Sequence, residues 1–221
     1  MDYQSTEEQQ IAALKKWWKD NGNSLLIGIG LALAVVFGWK AYQNQQMNKR
    51  FEASSVYQQL LEATLSAAAS QDKEKAAATT RLLGEKLKTE YGDSGYSHLA
   101  ALLLAKSNVD SNELEGAEAE LNWLLARESA DGGLKALARE RLALVLAAQQ
   151  KYDDALELVS STTDKAYQAS YLETRGDILL AMGKKGEAKE AYEASKAEAG
   201  DSSPRVLLDM KLTNLAEEDG I

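Results

Sequence analysis

Between Asn21 and Trp39 the chain runs nineteen residues without a charge, although 27% of its residues are charged. The stretch reads "NGNSLLIGIGLALAVVFGW". As a helix it would be about 28 Å long, close to the ~30 Å hydrocarbon core of a bilayer. Buried helices of small soluble domains rarely stay apolar all round for this length. The flanks agree with a membrane reading. Trp17 and Trp18 precede the run, and Trp39 and Tyr42 close it, so amphipathic rings stand at both headgroup levels. Lys15, Lys16 and Lys19 lie outside one end, and Lys40 can snorkel at the other. The pattern predicts a short leader over 1–20, a single transmembrane helix over 21–42 and a soluble domain over 43–221. A cleaved signal peptide fits less well. Its leader would carry four acids against three lysines, and the apolar run continues past the "ALA" at 32–34.

Within the span, Gly30, Ala34 and Gly38 recur every four residues and mark a face on which another helix could approach closely. Small residues are also common in membrane helices, so the stripe is a candidate for packing rather than a demonstration of it. Before the span, "STEEQQIAALKKWW" reads as a short amphipathic helix, with Ser5 and Glu8 at capping-box spacing. Lysines flank the span on both sides. Only their closer spacing at Lys15 to Lys19 favours a cytoplasmic N-terminus.

After Arg50 the polarity pattern changes. Strict alternation is absent, and helical stretches are separated by short breaks of glycine, serine, asparagine or aspartate. The expected helices are 44–69, 73–91, 96–108, 113–128, 133–149, 152–161, 166–182, 185–199 and 204–217, the last opened by Ser203 as cap and Pro204 in the first turn. Short loops between such helices imply antiparallel hairpins. "LARERLALVLAAQQKYDDALELV" (137–159) aligns with "SYLETRGDILLAMGKKGEAKEAY" (170–192), placing Ala155 on Ala188 and Ala143 on Gly176. A weaker copy, "ELEGAEAELNWLL", puts Ala117 at the same place. This pattern resembles the tetratricopeptide repeat, with its small residue in the first helix, its alanine in the second and an aromatic near the turn (Tyr152). The fold expected is therefore all-α: one N-terminal transmembrane helix followed by a TPR-like array of helical hairpins.

Composition narrows the chemistry. Formal charge is −9, and 21 of the 25 bases and 30 of the 34 acids follow residue 40, so the excess acid lies beyond the apolar run. An acidic soluble part argues against nucleic acid as a partner. There is no cysteine, hence no disulfide, thiolate metal site or thiol nucleophile. His98 is the one histidine and reads as an ordinary surface or satisfied side chain. Phosphate-binding loops and hydrolase or metalloprotease motifs are missing. A non-enzyme without cofactor or metal is expected, whose use is binding. On the repeat register the first helices present Leu137, Glu140 and Leu144, then Glu173 and Asp177, to the concave face. That acidic and apolar surface suits a basic or apolar polypeptide. Trp123 and the scattered tyrosines read as core.

Taken together, "EEQQIAALKKWWKDNGNSLL", a span ending "GWKAYQ" and an alanine-rich TPR-like domain resemble the YfgM family, the ancillary subunits of the bacterial Sec translocon. The resemblance implies a single-pass inner-membrane protein with a cytoplasmic N-terminus and a periplasmic TPR-like domain. It implies association with Sec translocon subunits and with a membrane-anchored periplasmic chaperone of the prolyl-isomerase type. It further implies a role in passing newly exported, unfolded polypeptides to periplasmic chaperones. A membrane-tethered scaffold for envelope assembly or division, and a regulator that binds a signalling protein, are the alternatives. No catalytic residues come with the resemblance.

Overall fold

The computed structural model of the chain describes residues 3–69, 73–162, 164–200 and 205–218. The predicted start of the last helix at Ser203 and Pro204 lies outside them. The chain divides into two compact units, Met1–Phe51 and Glu52–Ile221. Among the described residues there is no strand.

Helix α1 spans Tyr3–Ala69. The leader, the span and the 44–69 helix expected from the sequence are thus one continuous element. Asn21, Gly22, Asn23 and Ser24 form turns readily but do not break it. The Asn21 side-chain amide donates to the Trp17 carbonyl at 3.1 Å, and the Trp18 ring lies over the Gly22 backbone. From Lys40 to Glu52 the sequence holds neither proline nor glycine to end a helix.

The second unit begins with the end of α1 and continues through α2 (Lys73–Glu90), α3 (Gly95–Asp110), α4 (Leu114–Leu125), α5 (Gly132–Ala148), α6 (Tyr152–Leu158), α7 (Gln168–Ala181), α8 (Lys185–Ala199) and α9 (Val206–Glu218). A 3₁₀ turn, Lys165–Tyr167, precedes α7. These bounds follow the predicted breaks closely, except that α4 and α6 each stop three residues early. Side chains open several elements. The Ser94 hydroxyl accepts from the Ser97 amide, and the Asp131 carboxylate accepts from the Gly133 and Leu134 amides.

Three hairpins, α3/α4, α5/α6 and α7/α8, share one turn. Asn112, Gln150 and Gly183 have left-handed φ values of 59°, 63° and 78°. In each turn the following amide reaches back five residues: Glu113 to Asn108, Lys151 to Leu146 and Lys184 to Leu179, at 2.7, 2.9 and 2.9 Å. This is the Schellman closure that satisfies the last helical carbonyls. Ala117, Ala155 and Ala188, the alanines aligned by sequence, then occupy equivalent sites, each with no exposed surface. From α2 onward consecutive helices pack on one another, which is the nearest-neighbour arrangement of a repeat array.

Three apolar clusters hold the second unit together. Ala53, Val56 and Leu60 of α1 meet Leu87 and Ala100. A larger cluster runs from Leu102 through Leu121, Leu124, Leu142 and Leu146 to Tyr171 and Ile178. The third joins Leu179 and Tyr192 to Leu208 and Leu215 of α9.

Candidate functional site

Two surfaces stand out from the residues upward, one in each unit, and each is built on its own helix geometry. In the first unit, among the described residues, α1 is the helix long and apolar enough to cross a membrane. Its most apolar 18-residue window has a mean hydropathy of 1.9, and none of that window is buried. Leu26, Ile27, Leu31, Val35, Val36 and Phe37 all face outward. An apolar surface this large is ordinarily covered by lipid or by another helix. Trp17 and Trp39 are 22 residues apart, about 33 Å along a helix, so both ends of the apolar stretch carry exposed rings. The Trp39 and Tyr42 rings sit 6.1 Å apart, centroid to centroid. Ala34 is exposed, and a side chain built at Gly30 or Gly38 would meet nothing within 4 Å.

In the second unit the residues expected on one concave face go to different neighbours. Leu137 is half-buried against the large cluster. Glu140 on α5 accepts hydrogen bonds from the Ser170 and Thr174 hydroxyls of α7. Glu173 and Asp177, one turn apart on α7, face α9. Lys211 reaches Glu173 at 2.9 Å and Asp177 at 2.6 Å, and Arg205 reaches Glu173 at 3.1 Å. The Tyr192 hydroxyl donates to Asp177 at 2.7 Å. Burial, reinforced by the Asp177 carboxylate, pushes that phenol far above its ordinary range. For Lys211, burial acts to lower the pKa, but Asp177 and Glu173 outweigh it and hold the ammonium above its usual value. Leu144 is 42% exposed and stands apart from this network, on the groove between α3, α4 and α5.

The sequence reading missed the partners on α9. The signal was there in part: Arg205, Leu208, Lys211, Leu212 and Leu215 recur at helical spacing, so α9 has an apolar face edged by cations. It also missed a buried ion pair. Lys88 on α2 donates to both oxygens of Glu120 on α4 at 2.8 Å, and to Glu85 at 2.9 Å. Burial pushes the Glu120 carboxyl up despite its partner. Trp123 lies between two cations, with the Arg127 guanidinium 4.6 Å and the Lys88 ammonium 5.3 Å from its ring centre. His98 is 1% exposed, beside Ser129 and the Trp123 ring.

Among the described residues no cluster of three or more histidines and acids could hold a metal. What the arrangement offers is surface: an apolar helix face in one unit and stacked hairpins in the other.

Residues 15–217 match the model of a family described as a tetratricopeptide repeat-like domain. The chain is similar to a protein of Escherichia coli (strain K12) named "Ancillary SecYEG translocon subunit", with 30% identity over 216 residues, 98% of this chain and 100% of that one. Proteins of the same name from Neisseria gonorrhoeae and Haemophilus influenzae are 31% and 29% identical. They align over 95% and 97% of this chain, and over 97% and 100% of their own lengths.

Proposed function

The chain belongs to the YfgM family of ancillary SecYEG translocon subunits, and from that membership we propose that it is a membrane-anchored interaction protein associated with the Sec translocon. The observation that carries the proposal is the near-complete alignment with relatives that bear this name. The exposed apolar stretch of α1 supports a single pass through the inner membrane.

The finer reading places the N-terminus in the cytoplasm and the hairpin array in the periplasm. There the array binds exported polypeptide and passes it on to a membrane-anchored chaperone of the prolyl-isomerase type. The lysines packed at Lys15 to Lys19 favour that orientation. The repeat-like fold, which presents side chains from successive helices, favours binding over catalysis.

Co-purification at native expression level tests the reading, with a tag at Ile221, mild detergent and mass spectrometry of the retained proteins. Translocon subunits together with a periplasmic chaperone are the expected result. An envelope-assembly or division complex without the channel would overturn it in favour of a tethered scaffold. A second arm replaces Gly30, Ala34 and Gly38 with leucine. If that stripe packs against a partner helix, recovery of the channel falls; unchanged recovery removes the stripe as the contact.

A further inference from the structure

The α3, α4 and α5 helices leave an apolar groove of ≈ 340 Å³ between them. Val109, Leu114, Leu121 and Leu144 line it, together with the small side chains of Ala105 and Ala148. Val109 and Leu144 are 44% and 42% exposed, so the array leaves apolar surface uncovered here. The volume lies at the lower end of the range for binding pockets, room for one or two large side chains rather than for a long acyl chain.

The rim is basic. Lys106 and Arg141 both border the groove, in a chain whose formal charge is −9. Lys106 is held by Asp110 on its own helix. Arg141 is exposed and, among the described residues, makes no ion pair or hydrogen bond. Arg141, Leu144, Val145 and Ala148 follow one helical face, so the guanidinium lies one turn from the leucine that lines the groove. Carboxylate recognition is the chemistry a free guanidinium next to apolar surface supplies best, because its fork matches two carboxylate oxygens.

We infer that this groove is a docking site for an extended segment of another polypeptide in which a large aliphatic residue is followed by an acidic one. The aliphatic side chain fills the space over Leu144 and Val109, and the acid pairs with Arg141. This reverses the charge preference expected for the array, because the acids of α7 already have cationic partners while the open groove carries the unpaired Arg141. The inference rests on the array being a polypeptide-binding module, but not on association with the translocon.

Fluorescence anisotropy with the full chain in nanodiscs tests it. The probes are three labelled peptides that share Gly-Ser flanks and differ in their cores: Leu-Leu-Glu, Leu-Leu-Lys and Ser-Ser-Glu. The Leu-Leu-Glu peptide is expected to bind more tightly than the other two. Arg141→Glu should weaken it about tenfold or more and shift preference to Leu-Leu-Lys, and Leu144→Ser should weaken both. Both substitutions are at exposed positions, and circular dichroism of each variant checks that the array remains folded. Equal affinity for the Glu and Lys peptides, or binding unmoved by Arg141→Glu, overturns the site. If Leu-Leu-Glu binds but neither variant affects it, the groove is wrong while polypeptide binding by the array stands. If no peptide binds, both fall. Binding to empty nanodiscs alone points to lipid and overturns the inference. So does a change in self-association without a change in peptide binding, which would make the groove a contact between copies.

Discussion

At Gly176 a single methyl sets two effects against each other. Alanine is the better helix former by about 1 kcal/mol. Yet a Cβ here would come 2.4 Å from the ring of Tyr192, which has no exposed surface and is tied to Asp177 through its hydroxyl. The ring cannot yield without breaking that bond, and overpacking of this kind costs about 1–3 kcal/mol, so sterics win. Gly176→Ala should lower the midpoint of thermal unfolding of the array. Gly186→Ala, whose methyl would meet nothing within 4 Å, should leave it unchanged or raise it slightly. His98 yields a prediction in pH. Burial lowers its pKa; Asp93 opposes this, while Arg127 and Lys135 add to it. The unfolded chain therefore binds a proton near pH ~6.5 while the folded chain resists it. Stability is complete above that pH and declines as the pH falls towards the lower folded value. The raised Glu120 carboxyl has the opposite slope at more acidic pH, so the informative quantity is a difference. Denaturant unfolding at pH 8 and pH 5 should show a smaller loss in His98→Gln than in the parent chain. The small residue at 176 could be read from sequence by aligning hairpins. The burial of His98 could not, because a single histidine carries no periodicity.

The helices themselves were largely legible, and the reason lies in their ends. Asn112, Gln150 and Gly183 take the left-handed turn at intervals of 38 and 33 residues, the same steps that separate the aligned alanines. Local chemistry closes each hairpin, so a local reading finds it. The leader, the span and the helix expected over 44–69 join into one element: the Asn21 amide donates to the Trp17 carbonyl and the Trp18 ring covers Gly22, so turn-forming residues are accommodated within α1. Charge partners were the harder part. Glu173 and Asp177 look like an open acidic face because the cations that meet them lie 32 to 38 residues away, on α9 and just before it. Lys211→Ala should leave those two carboxylates facing each other one turn apart. Glu173 keeps Arg205, so a loss of about 1–3 kcal/mol is expected from Asp177, the half-buried charge left without its cation. Hydrogen exchange across 206–218 should speed up accordingly. Unchanged protection would show that Leu208 and Leu215 hold α9 without the charges.

For the molecule as a whole, orientation is the direct test of the periplasmic reading, and its composition makes the measurement clean. With no native cysteine, a single introduced thiol reports without background. On intact cells a membrane-impermeant maleimide should label Glu128→Cys, an exposed site in the array, once the outer membrane is permeabilised. It should spare Glu8→Cys until the inner membrane is opened. The reverse pattern would put the array in the cytoplasm and overturn the periplasmic reading.

The nearest-neighbour packing of the hairpins also bears on how the chain comes to be folded. Each helix of the second unit finds its main partners one or two elements away, so little chain must be searched before contacts form, and low contact order favours rapid folding. Structure can accumulate hairpin by hairpin in the order of synthesis, starting next to the apolar helix. The exception is the acidic pair on α7. Glu173 and Asp177 stay uncompensated until Arg205 and Lys211, more than thirty residues later in the chain than the acids they meet, arrive to neutralise them.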